Sequence, residues 1–314
     1  MITPITGRAV KVLSYGGGLD SFAMLLEALE RGERPDHVVF CDVGGGTAEQ
    51  DGPDPAEWPS TYRHIREVVI PLCAREGIPF HWLDGESYPI RDAGSLFAWY
   101  RTRRLLPITG PGRVCTMIAK TERFERWCAD HFAGLEVEVW IGFEAGEESR
   151  AAKDPNAGAS SKGKASSFRR RNRFPLLERG LCRCRCEALV RSLGYPVPRK
   201  SACVFCPYAS KRDWQTFARE LPAAFAQVVE LEAAKSVTAS GKKLSIMGFK
   251  SFKDEAKVPK RTRLTILRDS AGMAYVAPPL PAFIEGESRE KSQGCDVCGA
   301  EQRATKATGC SFLE

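Results

Sequence analysis

Between residues 9 and 143, short β-rich runs alternate with stretches whose apolar residues recur at helical spacing, and this alternation constrains the fold most. Residues 9–15 read as a strand, and 21–31 as a helix with Phe22, Leu25, Leu26 and Leu29 on one face, closed by Gly32. Residues 37–43 (HVVFCDV) read as a buried strand ending at Gly44, and 62–76 as a helix with Ile65, Val68, Val69 and Leu72 together. A strand at 79–83, a helix at 121–132 and a strand at 135–143 complete the pattern. Such alternation predicts an α/β fold with a doubly wound, mostly parallel sheet, whose ligands lie beyond the carboxyl ends of its strands.

The 314 residues suffice for one large domain with an accessory part. We expect a nucleotide-binding domain over 1–215 and a helical, Cys-rich region over 216–314. Polar, small and basic residues from 144 to 172 predict a mobile basic loop at about 145–172. A cysteine-bearing helix to Leu193, a turn-rich segment, a helix over 211–235 and a few C-terminal strands follow. The N-terminal stretch reads as no signal peptide and no apolar run reaches membrane-spanning length, so the expectation is a cytoplasmic protein without membrane contact. The net charge of +7 suits anionic partners. Six basic residues fall within 161–173 and nine more between Lys242 and Arg268; they suit a nucleic acid such as tRNA or DNA, or solvated loops.

Gly16, Gly17 and Gly18 stand between the first strand and helix, followed by Leu19-Asp20-Ser21. Glycines let the backbone turn tightly and approach an anion, and the opening N–H groups of the helix point at it. The loop lacks the Lys-Ser/Thr of a nucleoside-triphosphate P-loop, and no GxGxxG can be drawn. Phosphate binding is expected, against the alternative of a bare turn.

Twelve cysteines without an export signal point to metal or redox chemistry rather than disulfides. Cys41, Cys73 and Cys128 sit in apolar patterns and read as core. Cys203-Val204-Phe205-Cys206-Pro207 is a CxxC with the spacing of a thiolate site, for zinc or an iron–sulfur cluster; a redox dithiol is the other reading. One CxxC cannot close a four-ligand site. Cys115, Cys295 and Cys298 are candidates to complete it. Cys182 and Cys186 share a helical face, with Cys184 pointing away, and read equally as ligands or bystanders. Cys310 would join Cys295 and Cys298 in a separate zinc knuckle.

The segments GGGLDS, VVFCDVGGG with EWPSTY, GRVCTMIAK, EESR and KSACVFCP occur in this order. Together they resemble the phosphoadenosine-phosphosulfate (PAPS) reductase-like family of PP-loop ATP pyrophosphatases, over residues 9 to about 215. Gly16 stands where the family's loop usually begins with Ser, and Ser14 lies two residues earlier. The resemblance implies an adenine nucleotide alpha hydrolase-like fold that binds ATP or a PAPS/APS-type nucleotide. Ser14, Gly16, Gly17, Gly18, Asp20, Ser21, Asp42 and Arg150 would contact the nucleotide; Asp20, Lys120 and Arg113 would be catalytic, with Mg²⁺ at Asp20. A [4Fe-4S] cluster on Cys115, Cys203, Cys206 and Cys298 is also implied.

The expected function is adenylation with sulfur transfer onto a nucleic acid, with sulfur from a donor such as a cysteine desulfurase. Reduction of phosphoadenosine phosphosulfate or adenosine phosphosulfate is the alternative. The terminal GCSFLE and the Val114-Cys115 pair depart from the motifs of true reductases. A third reading is a non-catalytic nucleotide or cluster sensor.

Overall fold

A computed structural model describes residues 8–107, 113–156, 167–234, 284 and 297, and the backbone of three short strands within 250–276. The apolar runs form a five-stranded sheet of β1 (Val10–Tyr15), β2 (His37–Cys41), β3 (Phe80–Leu83), β4 (Glu136–Trp140) and β5 (Arg169–Arg173). Their order is β3-β2-β1-β4-β5 and every pairing is parallel. The helices are α1 (Leu19–Glu30), α2 (Pro59–His64), α3 (Ile70–Arg75), α4 (Leu96–Arg103), α5 (Val114–Thr116), α6 (Glu122–His131), α7 (Glu148–Ala151), α8 (Pro175–Glu178), α9 (Arg183–Ser192), α10 (Lys211–Glu220) and α11 (Pro222–Ala234). The expected α/β architecture is therefore present.

Alternate strand residues leave on opposite faces of the sheet. Val10, Val12, Val39, Cys41, Val137 and Val139 pack with Phe124, Trp127 and Cys128 of α6. Leu13, Tyr15, Val38, Phe40 and Trp140 join the larger core on the other face, with α1, α9, α10 and α11. Both faces are covered, as an all-parallel sheet requires. Cys41, Cys73 and Cys128 are buried, as their patterns suggested.

The helix expected at 62–76 runs through α2, a π-helical segment Ile65–Val69 and α3. Pro71 supplies no N–H and crowds the preceding turn, which widens instead of breaking. A second π-helical segment, Met117–Thr121, joins α5 to α6 and carries Lys120. The helix expected at 211–235 stops at Leu221 because Pro222 cannot continue it; α11 starts anew there. In the stretch read as a loop, α7 and the edge strand β5 are present. The sequence RRRNR of β5 has no apolar alternation to announce a strand. Further on, β6 (Lys250–Phe252), β7 (Ile266–Arg268) and β8 (Ala274–Val276) form an antiparallel sheet in the order β6-β8-β7, consistent with the few C-terminal strands expected. Among the described residues no helix is long and apolar enough to cross a membrane.

From β1 the chain builds outward to β3 on one side, then returns to place β4 on the other. That reversal opens a crevice beyond the carboxyl ends of β1 and β4, where doubly wound sheets hold ligands. Gly142, just after β4, permits a close approach: a Cβ there would come within 3.1 Å of the Ser21 backbone nitrogen.

Candidate functional site

The glycine loop lies in this crevice, between β1 and α1. Gly17 has φ of +79°, and a Cβ on it would stand 2.8 Å from Cγ2 of Thr61. A Cβ on Gly18 would stand 3.1 Å from the Ser201 side chain. The loop is thus wedged between α2 and the segment before the CxxC. Its fold is held from within: the Gly16 N–H donates to Ser21 Oγ at 3.1 Å, and that hydroxyl donates to the Gly18 carbonyl at 3.1 Å. No side chain caps the start of α1. The opening N–H groups of this helix face the crevice with the positive end of its dipole.

Asp20, in the first turn of α1, lies 3.5 Å from the Arg183 guanidinium of α9. Burial raises the Asp20 pKa, while Arg183 opposes the rise and Glu147 adds to it. Burial, reinforced by Asp20, pushes Glu144 up to about 7. This side of the loop therefore gathers the carboxylates of Asp20, Glu144 and Glu147 near Arg183, with Arg150 and Lys200 within electrostatic reach. Cys182 and Cys186, both buried, belong here, because Asp20 and Glu144 raise the Cys186 thiol further after burial has done so.

On the other side, the Ser201 hydroxyl donates to the Gly16 carbonyl and lies 3.4 Å from the buried Glu57 carboxylate. Glu57 pairs with Lys120 at 3.3 Å and bridges through its backbone to Cys203. Desolvation works against the Lys120 charge, but Glu57 and Cys203 outweigh it and hold the ammonium above the usual lysine range. The Cys41 thiol donates to the Lys120 carbonyl at 3.6 Å.

Cys203, Cys206 and Cys115 lie within one another's electrostatic reach, beside Tyr100. Burial raises Cys203 well above the usual thiol range, Glu57 adds to this, and Lys120 opposes it. Burial also raises Cys206, against the Tyr208 backbone N–H. Thiols so placed stay protonated until a soft cation displaces the proton. The donor set suits an iron–sulfur cluster or zinc in kind. Among the described residues, no three His, Cys, Asp or Glu side chains are already set to close on a metal ion, and none of the nine cysteines is in a disulfide. Cys295, Cys298 and Cys310 lie outside the described residues, as does most of the basic stretch 242–268.

Other candidates are more dispersed. Asp42, at the end of β2, is fully buried and accepts from the Gly44 and Gly46 N–H groups at 3.0 and 2.6 Å and from the Tyr62 hydroxyl at 2.6 Å. Its oxygens shape the loop after β2. Ser14 lies within β1, opposite Val39. Arg113 stacks on Tyr208 at 4.7 Å, near the cysteines. Arg150 pairs with Glu147 and covers Phe143 at 4.4 Å. The described part of the basic run 161–173 is answered locally: Arg170 by Glu125, Arg171 by Glu138, and Arg173 by Glu33 and Glu178. Arg169 stays largely exposed, 4.0 Å from Glu136.

Glu57 and Ser201 stand inside motifs the sequence makes visible, EWPSTY and KSACVFCP, but their pairing spans 144 residues and leaves no local trace. Arg183 stands in a Cys-Arg alternation whose clustered arginines suit phosphate, whereas the buried Arg123 carries no signal.

No protein-family model matches the chain. An uncharacterized nin region protein, ORF290, of Escherichia phage lambda is 30% identical over 162 residues, which are 46% of this chain and 52% of that protein. The chain thus spans about half the length of the curated relative it matches. The U34-tRNA thiolase NcsA from Methanococcus maripaludis, solved with its [4Fe-4S] cluster, aligns over 76% of this chain and 75% of its own at 14% identity and a TM-score of 0.38. A likeness that low carries no activity across.

Proposed function

We propose that the chain is a PP-loop enzyme that binds ATP or an adenylyl-sulfate nucleotide and couples adenylation to sulfur transfer, with a nucleic acid as acceptor. One observation carries the reading: Ser201 joins the Gly16 carbonyl to Glu57, and Glu57 joins Lys120 and Cys203. The anion loop and the three thiols thereby act as one unit.

The N–H groups of the loop and of the first turn of α1 hold the terminal phosphates. Asp20 is the carboxylate offered to an accompanying Mg²⁺, and Lys120 stabilises charge at the α-phosphate oxygens. An acceptor oxygen attacks the α-phosphorus, the bond to the bridging oxygen breaks, and pyrophosphate leaves. Hydrosulfide then adds at the activated carbon, the carbon–oxygen bond breaks, and AMP departs. Cys115, Cys203 and Cys206, with Cys298 as the fourth thiol, would hold an iron–sulfur cluster, which when bound would supply the chemistry that carries sulfide.

The test is anaerobic protein given α-labelled ATP, sulfide and either tRNA or DNA, with AMP and pyrophosphate counted and iron measured. Acceptor-dependent AMP release is expected, with iron lost in Cys115→Ser, Cys203→Ser and Cys206→Ser and retained in Cys182→Ser and Cys186→Ser. No release with any acceptor overturns the reading. Reduction of an adenylyl sulfate to sulfite assigns the reductase alternative instead.

A further inference from the structure

The outer face of α10 carries a cationic cavity that the proposed chemistry does not use. Trp214 and Phe217 are fully buried, which fixes the inner face of this helix. Arg212, Gln215, Thr216 and Arg219 recur at the three- and four-residue spacing of the opposite face. With Arg199 and Glu220 they line a cavity of about 410 Å³, within the range of sites that take nucleotide-sized groups. Three guanidinium groups there meet one lining carboxylate.

Arg199 is set in place before any ligand arrives. Its guanidinium lies 3.6 Å from the centroid of the buried Trp58 ring, which meets Phe217 edge-on at 6.2 Å. Its nearest carboxylates, Asp213 and Glu220, are both at 3.9 Å, beyond hydrogen-bonding distance. Asp213 is held at the start of α10 through its Oδ2, which accepts from the Ser210 N–H at 2.9 Å and the Ser210 hydroxyl at 2.7 Å, while its Oδ1 stands 3.9 Å from Arg199. A stacked guanidinium keeps its planar fork for a bidentate anion. Arg219 makes a 3.2 Å pair with Glu220 on an open surface, a contact that a phosphate can displace at little cost.

The chain leads from the cavity toward the thiols. Arg199 precedes Lys200-Ser201-Ala202-Cys203, and Trp58 follows the Glu57 that bridges to Cys203. We propose that Arg199, Arg212 and Arg219 form a phosphodiester-binding site that holds the backbone of a polynucleotide strand whose reacting base reaches Cys115, Cys203 and Cys206. This rests on the reading of a nucleic acid as acceptor. A strand offers several phosphates at once, which suits a cavity of this volume with two cations on one helix face and a third, Arg199, across from them better than one small anion does.

The test measures binding of short single-stranded DNA and RNA to the full chain by fluorescence anisotropy, from about 50 to about 200 mM salt. Each lost phosphate contact lowers the slope of log affinity against log salt by about 0.7 on single strands. Arg212→Ala/Arg219→Ala is expected to lower it by about 1.4 and to weaken binding on the order of ten-fold at the low-salt end, for DNA and RNA alike. Arg199→Lys keeps the charge and is expected to lose affinity without the full change in slope. An unchanged slope and affinity in the double variant overturn the inference. So does equal displacement of the strand by inorganic phosphate or AMP at matched phosphate concentration, which would assign a small-anion site. Thermal stabilisation by ATP is recorded on the same preparations. Its absence beside an arginine-dependent salt slope defeats the glycine-loop reading alone; its presence beside an unchanged slope defeats the cavity alone.

Discussion

The Ser201 hydroxyl donates a hydrogen bond to the Gly16 carbonyl across 185 residues of sequence. The contact joins the turn that faces the anion to the strand-like arm leading into Cys203. Ser201→Ala is expected to cost about 0.5–1.5 kcal/mol, the net worth of such a bond. Calorimetry would read this as a Tm lower by a few degrees. The stabilisation gained on adding ATP should shrink as well, because the loop loses the partner that fixes its carbonyl. Equal Tm and equal ATP response in the variant and the parent would break the proposed coupling.

Gly17 carries two separable constraints. Its φ of +79° strains any L side chain by about 1–3 kcal/mol, and a Cβ would press on Cγ2 of Thr61 at 2.8 Å. Gly17→Ala should therefore destabilise the chain and abolish ATP-induced stabilisation. Adding Thr61→Ala removes the clash but not the backbone strain, so the double variant should recover only part of the loss. Full recovery, measured by urea denaturation as a double-mutant cycle, would show that the positive φ is not a requirement of the loop.

Arg123 was invisible as a structural centre because a single arginine in a helical pattern reads as a solvated charge. It is fully buried, and it donates to the carbonyls of Asp42, Leu83, Asp84, Tyr88 and Ala119. One planar fork thereby gathers the chain as it leaves β2 and β3 and ties both to α6. Arg123→Leu should cost about 3 kcal/mol or more, since several buried carbonyls lose their donor together. Arg123→Lys keeps a charge but not the fork and should recover only a fraction in chemical denaturation. A loss under about 1 kcal/mol for the leucine variant would mean that water replaces the guanidinium readily.

What the sequence makes legible here follows from the range of the forces involved. The strands β1 to β4 and the helix α1 are encoded by local apolar period, and they form where that period places them. β5 is encoded by pairing instead: its arginines find Glu125 and Glu138 only once the sheet exists. The grouping of Cys115 with Cys203 and Cys206 is implied by the family resemblance of their motifs, whereas the Glu57–Lys120 pair that sits beside them is not. Charge counts single out residues 161–173 and 242–268, whereas Arg199, Arg212 and Arg219 come to one cavity from two segments that no charge count joins.

Two histidines make stability depend on pH in a direction that can be derived. His64 is buried against Phe22 with ring centroids 4.8 Å apart, its Nε2 has no hydrogen-bond partner, and burial holds its pKa down at about 4. His81 is also held at about 4, by burial and then by His37 and His131. An unfolded chain takes up a proton at each near pH 6.5, so between about 4 and 6.5 the unfolded state binds more protons than the folded one. The histidines' share of the stability therefore rises with pH across that window and is lost as pH falls from about 6.5 toward 4, while Glu144, raised to about 7, contributes with the opposite sign. His64→Leu fills similar space, leaves no buried ring nitrogen unpaired and has nothing to protonate. Its urea midpoint at about pH 7 should equal or exceed the parent's, and its decline toward about pH 5 should be shallower by up to one proton's share. If parent and variant decline in parallel, His64 is protonated in the folded state and the buried, neutral ring is refuted.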